Sequence, residues 1–163
     1  METREYHNIS EATKAGWGHG PWVHEPDKRQ WTDAETGYPC LILRVGSHGA
    51  LCGYVGVSEG HPFFEKDYDE VHDLADIEVH GGLTYADFCR EGDEATSVCH
   101  VPGPGEPDRV WWLGFDCVHH MDLAPAHDAR SSFRLPSNIY RDMDFVTDQV
   151  KCLAKQFKDA ESA

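Results

Sequence analysis

No stretch of this 163-residue chain is apolar for long enough to span a bilayer, and its opening Met1-Glu2-Thr3-Arg4-Glu5 lacks the apolar run of an export signal. Those absences predict a cytoplasmic protein that makes no use of a membrane. Basic residues are scarce: 14 Lys and Arg stand against 29 Asp and Glu, a formal net charge of −15. A surface of that sign repels nucleic-acid phosphates and anionic lipids, so direct binding to either is not expected. The six cysteines (Cys40, Cys52, Cys89, Cys99, Cys117, Cys152) include no C-x-x-C pair. Without an export signal they are expected to be reduced thiols, several of them small core residues. No glycine-rich stretch leads into a helix start at the spacing of a phosphate loop or a dinucleotide fingerprint. Internal repeats, interdomain linkers and low-complexity tracts are also missing.

What is present suits a folded chain. Hydrophobic residues make up 40% and charged residues 26%, and a chain of this length buries roughly 70% of its unfolded surface. A single domain over residues 1–163 is therefore expected. Residues 1–38 are polar and rich in Gly, Pro and Trp, and read as an irregular N-terminal arm with Trp17, Trp22 and Trp31 as anchors. Residues 40–45 and 50–57 are apolar runs flanking the turn cluster Gly46-Ser47-His48-Gly49, which predicts a β-hairpin. Asp76-Ile77-Glu78-Val79-His80 alternates strictly and predicts a strand. Residues 109–117 are apolar and aromatic and predict another. Ile139, Met143, Val146, Val150, Leu153 and Phe157 recur at helical spacing, predicting a helix over 137–158 capped by Ser137 or Asn138. The expected class is α+β: an antiparallel sheet of about four to five strands over residues 39–117, with the C-terminal amphipathic helix packed on one face.

Chemistry-bearing side chains concentrate in Asp116-Cys117-Val118-His119-His120-Met121-Asp122, at the end of the aromatic strand. Thiolate, imidazole and carboxylate are ligand types that zinc takes, and Cys117 and His119 project to one side of an extended chain. Together with His80 and Asp122 they form a candidate metal set, in which bound zinc would lower the pKa of its water and supply a hydrolytic nucleophile. A metal-free alternative makes Cys117 a nucleophile activated by His80 or His119 and oriented by Asp116 or Asp122, so that His80, Asp116 and Cys117 are the catalytic candidates. It needs a depressed thiol pKa, which so acidic a chain opposes unless a histidinium sits close. A third reading places Cys117 in the core, continuing the apolar parity of Trp111, Leu113 and Phe115. Gly81, Gly82 and Thr84 either cradle an anionic group or make a tight turn. Trp112 either stacks a ligand base or is covered by the N-terminal arm, and His61 is a candidate pocket wall.

Several motifs then act together: Glu25-Pro26-Asp27-Lys28 with Trp31, Tyr38-Pro39-Cys40-Leu41, Cys52-Gly53-Tyr54-Val55-Gly56-Val57, Gly60-His61-Pro62, Val79-His80-Gly81-Gly82-Leu83-Thr84, and Phe115-Asp116-Cys117 with His119 and Asp122. In these the chain resembles a family of small uncharacterised proteins encoded by tailed bacteriophages and prophage-bearing bacteria, over most of residues 20–157. The resemblance implies expression inside a host cell and no particular activity. Small phage accessory proteins often act against host defence, which by association favours an inhibitor or a nucleotide-signal sponge.

The expectation is thus a phage-type accessory protein whose His/Cys/Asp pocket binds a small polar, nucleotide-like ligand, sequestering it or hydrolysing it as a metal-dependent hydrolase. The alternative is a non-enzymatic acidic protein that inhibits a host nuclease or DNA-binding protein by polyanion mimicry. Against the alternative, the acids are scattered along the sequence in no long carboxylate stripe.

Overall fold

In a computed structural model describing residues 3–90, 92–131 and 137–162, six strands form one antiparallel sheet. They are β1 (Arg4–Tyr6), β2 (Lys28–Thr32), β3 (Pro39–Arg44), β4 (Leu51–Val57), β5 (Tyr85–Phe88) and β6 (Trp111–Asp116), in the spatial order β1-β2-β3-β4-β6-β5. Four helices accompany them among the described residues: α1 (Glu11–Ala15), α2 (Tyr68–Leu74), α3 (Pro125–Arg130) and α4 (Met143–Ala160). The α+β class and the C-terminal helix follow the sequence; the strand count is six rather than four or five.

The expected hairpin is β3–β4, with Cys40 opposite Val55 and Arg44 opposite Leu51. Both strands are buried on both faces, which is why they read as continuous apolar runs. One face packs Ile42, Val55, Leu113 and Phe115 against Met143, Val146, Val150, Leu153 and Phe157 of α4. Each such buried side chain contributes about 1.5–3 kcal/mol. Gly53 lets the helix come this close, because a Cβ there would collide with Phe115 and Val150. The other face carries Leu41, Leu43, Cys52, Tyr54, Val110 and Trp112, with Val98 and His100 packed over it.

Helix α4 begins at Met143, later than expected. Asp142 accepts from Phe145 N at 2.9 Å, and Glu25 Oε2 accepts from Met143 N at 2.8 Å, so two carboxylates satisfy the first turn. Ile139 instead bridges to Asp122 and stays 51% exposed.

The strand expected at 76–80 is extended but joins no sheet. Ile77 is buried and Asp76 and Glu78 are exposed, as alternation requires. Ile77 N donates back to Ala75 O at 3.0 Å, and the partners that reach the segment from another element are glutamines of α4. Glu78 N donates to Gln156 Oε1 at 2.8 Å, Gln156 Nε2 donates to Glu78 O at 2.8 Å, and His80 N donates to Gln149 Oε1 at 2.9 Å. Alternation reports where side chains point, not what the backbone bonds to.

The N-terminal arm is also more ordered than expected, since β1 and β2 lie within it. Strand β2 buries Lys28 and Gln30, so no apolar alternation marks it. Behind it Asp27 Oδ1 accepts from Lys14 Nζ and Arg44 Nε, both at 2.9 Å and all fully or almost fully buried. Arg44 also reaches Glu25 Oε1 at 3.3 Å, and Tyr140 OH donates to the same oxygen at 2.6 Å. Trp22 anchors as expected, donating to Lys14 O at 3.2 Å and stacking edge-on against Tyr140. Cys40, Cys52 and Cys117 are buried free thiols and Cys152 is an exposed one, whereas Cys89 and Cys99 form a disulfide, which corrects the expectation of six reduced cysteines. Among the described residues no helix is long and apolar enough to cross a membrane.

Candidate functional site

Strand β6 ends at Asp116, whose carboxylate organises the chain that follows. Its Oδ1 accepts from Val118 N at 3.1 Å and its Oδ2 from Thr84 Oγ1 at 3.0 Å. Residues 119–122 then close on themselves: Asp122 N donates to His119 O, and Asp122 Oδ2 accepts from His119 N, both at 3.0 Å, with Met121 at φ 73°. Two further donors converge on the same buried carboxylate, Arg141 Nε at 2.9 Å and His80 Nε2 at 2.8 Å. Burial pushes the Asp122 pKa up, but the hydrogen bonds from Arg141, His80 and the His119 amide outweigh it and hold the carboxyl below its ordinary range.

His80 is therefore gripped at Nε2, with its ring edge-on to Phe145 (centroids 5.3 Å apart) and to His119 (5.9 Å). Its Nδ1 has no hydrogen-bond partner among the described residues. His119 Nε2 lies 3.1 Å from Asp116 Oδ1 yet off the hydrogen-bonding direction, and has no aligned partner. Gly81 is required here: its φ is +70°, and a Cβ would collide with the His119 ring.

His80, His119, Asp116, Asp122, Thr84 and Gly81 thus converge as the sequence suggested. Cys117 does not join them. It is 1% exposed among Leu113, Phe115 and Met143, and burial, then Cys52, Asp122 and Asp116, push its thiol pKa up. The core reading of Cys117 stands, and neither an activated thiolate nor a zinc thiolate fits its surroundings. The set His80, Cys117, His119 and Asp122 is corrected accordingly: His80 and Asp122 are bonded to each other, Cys117 lies in the core beneath, and among the described residues no group of three or more His, Cys, Asp or Glu could hold a metal ion.

Three other candidates fall elsewhere. Trp112 has no exposed surface; His100 and Val110, rather than the N-terminal arm, cover it, and its face is closed to a ligand base. His61 spends both nitrogens on the protein, accepting from Phe63 N at 2.9 Å and bonding Phe157 O at 2.8 Å near the far end of α4. Gly82 makes a turn at φ +79° and donates to Val79 O at 2.9 Å.

Sequence reasoning missed Arg141, His48, His127 and Asp128. A hollow of about 360 Å³ is lined by His48, Val118, Asp122, Ala124, His127 and Asp128, and it meets the His80–His119 pair at Asp122. His48 accepts from Ala50 N at Nδ1 (3.0 Å), and burial lowers its pKa against the opposing pull of Asp116. Asp128 Oδ2 accepts from Ala124 N at 2.9 Å at the start of α3. The carboxylates of this end of the sheet are mostly occupied by protein donors, and imidazole nitrogens remain. His48 carried only a turn signal and His127 none, so neither was legible before folding. A wider open groove of about 760 Å³ lies along α4 beside Asp76, Glu78, Gln149 and Gln156, where the Gln156 amide and the Gln149 Oε1 are spent on the 76–80 backbone.

Fold and site together define an α+β protein with a histidine- and aspartate-lined hollow at one end of its sheet. Compared with family models, curated proteins and solved structures, the chain finds no match in any of the three.

Proposed function

We propose that this chain is a phage-type accessory protein that binds a small polar molecule at the His80–Asp122 pair and the adjoining hollow. The carrying observation is the 2.8 Å bond from His80 Nε2 to a buried carboxylate, which orients the imidazole and leaves Nδ1 open. Donating to Asp122 through Nε2, the imidazole presents a lone pair at Nδ1 that accepts from a ligand donor or acts as a general base on a water beside a bound ester or phosphate. Sequestration and metal-free hydrolysis are the two outcomes this chemistry supports. Polar anchoring by His48 and His127 in the hollow, with His80 beside it through Asp122, carries recognition, since Trp112 offers no stacking face. Isothermal titration with nucleotides, phosphorylated sugars and amino acids tests this. A binding heat that vanishes in both His80→Ala and His48→Ala, in chains that circular dichroism shows to be folded at the titration temperature, supports the assignment; binding that persists in both variants ends it.

A second reading draws on one surface. Helix α2 and its flanks expose Glu65, Asp67, Asp69, Glu70, Asp73, Asp76 and Glu78, with Lys66 the only Lys or Arg among them. These seven acids fall within fourteen consecutive residues, with Arg109 paired to Glu65 at 2.8 Å as the one base the fold brings to them, and their density favours docking into a basic groove of a host nuclease or DNA-binding protein. Such binding must weaken with salt and with Asp69→Asn and Glu70→Gln. Salt-independent binding, or none to any basic partner, removes this reading.

A further inference from the structure

We propose that residues 92–101 form a redox-gated cover over the second face of the sheet, closed while Cys89 and Cys99 are joined and released when a dithiol parts them. The cover is tied to the sheet by side chains, with Glu94 accepting from Tyr6 OH and pairing with Arg4 at 3.6 Å and with Val98 and His100 packed on the apolar face, and above all by its own backbone. Lys28 Nζ donates to the carbonyls of Glu94, of Ser97 at 2.9 Å and of Cys99 at 2.8 Å. Gln30 accepts from Val101 N at 2.8 Å and donates to Val101 O at 3.0 Å, and Asn8 donates to Ala95 O at 2.7 Å. The Lys28 side chain has no exposed surface, and no carboxylate of the described residues stands at ion-pair distance from it. Its charge is met by three carbonyl dipoles that must converge on one point, so a small displacement of the cover undoes the cage.

The closed state also carries unmet costs. Desolvation lowers the Lys28 pKa to about 8, with Glu94 and Asp93 opposing the shift. Ser97 Oγ and His100 Nε2 on the cover, and Trp112 Nε1 beneath it, are buried with no hydrogen-bond partner. All four groups regain water when it lifts. The disulfide, joining cysteines at a sequence separation of 10, limits the chain freedom that lifting would release. Cys89 is exposed and Cys99 half-buried, so a reductant reaches the bond. One thiolate of the dithiol attacks a cystine sulfur, its second thiol displaces the mixed disulfide, and two electrons and two protons pass to Cys89 and Cys99 while the reductant leaves as its own disulfide. The core beneath α4 lies on the opposite face and takes no part.

Amide hydrogen exchange with and without dithiothreitol, followed by mass spectrometry, tests the cover. Reduction should speed exchange of residues 97–101 about tenfold or more, and should convert Lys28 from unreactive to acylated by a small anhydride, while α4 amides keep their protection. The double variant Cys89→Ser, Cys99→Ser should show the open pattern without reductant, and oxidised glutathione should close the native chain again. Equal exchange and equal Lys28 labelling in both states would overturn the proposal. So would simultaneous loss of protection in α4, because the disulfide would then be a global staple, and so would failure of the two thiols to reoxidise.

Discussion

Asp122 Oδ2 accepts a hydrogen bond from His80 Nε2 at 2.8 Å across a sequence separation of 42, while Arg141 Nε reaches Oδ1 at 2.9 Å. One buried carboxylate thereby ties the 76–83 segment, the turn after β6 and the approach to α4 together. Asp122→Asn keeps the shape but turns an N–H toward one of these donors, and should cost about 2–3 kcal/mol in urea unfolding. The folded carboxyl lies below its ordinary range, so its stabilisation is complete above the ordinary carboxyl pKa and is lost as pH falls through the folded value. The native chain and the variant should therefore converge in acid. A gap that stayed constant down to about pH 2 would contradict the assignment.

Much of this arrangement was legible in the sequence, and the failures have a common cause. The helical face of α4 and the β3–β4 hairpin were readable because their apolar residues follow one period and bury against apolar neighbours. Strand β2 was not, because Lys28 and Gln30 are buried by backbone carbonyls and amides that no residue pattern announces. The 76–80 segment misled in the opposite sense: its alternation is real, but glutamine side chains stand where a neighbouring strand was expected. In the site, His80 and Asp122 were found by residue type, while Cys117 was separated from them by the β6 parity that puts it beside Phe115. His48 and Arg141 enter only through the fold.

Asp27 is a fully buried carboxylate that holds two buried cations. Lys14 and Arg44 both bond to its Oδ1, and Ile9 N donates to its Oδ2, all at 2.9 Å and away from water. Asp27→Ala leaves buried Lys14 with no carboxylate and Arg44 with Glu25 alone, and should cost about 3–5 kcal/mol, enough to release the N-terminal arm. Lys14→Met should cost much less, since Asp27 keeps Arg44. Chemical unfolding of the two variants decides this; equal losses would mean that the carboxylate does not hold the pair.

His48, His61 and His100 should make the chain acid-sensitive near neutrality. Burial lowers all three pKa values. His48 and His61 also accept backbone N–H groups at Nδ1, from Ala50 and Phe63, which protonation would break. The folded chain binds these protons less readily than the unfolded one. Stability should therefore begin to fall as pH drops below about 6.5 and the loss should be complete below the folded values. Unfolding midpoints measured between about pH 7.5 and 5 report the trend, and an increase on acidification would refute it.

The thiols give the most direct check on how the site divides from the core. Of the four free cysteines three are buried and only Cys152 is exposed. A thiol reagent should modify one group in the folded, unreduced chain and four after unfolding without reductant. Burial pushes the Cys117 thiol well above its ordinary pKa, so it presents no thiolate to the reagent or to a substrate. Cys117→Ala should lower stability by about 1 kcal/mol, through the small cavity left beside Phe115, and should leave ligand titrations unchanged. Modification of Cys117 in the folded chain, or a Cys117→Ala variant that loses binding at an unaltered unfolding midpoint, would return the thiol to the site and require it to turn out of the core.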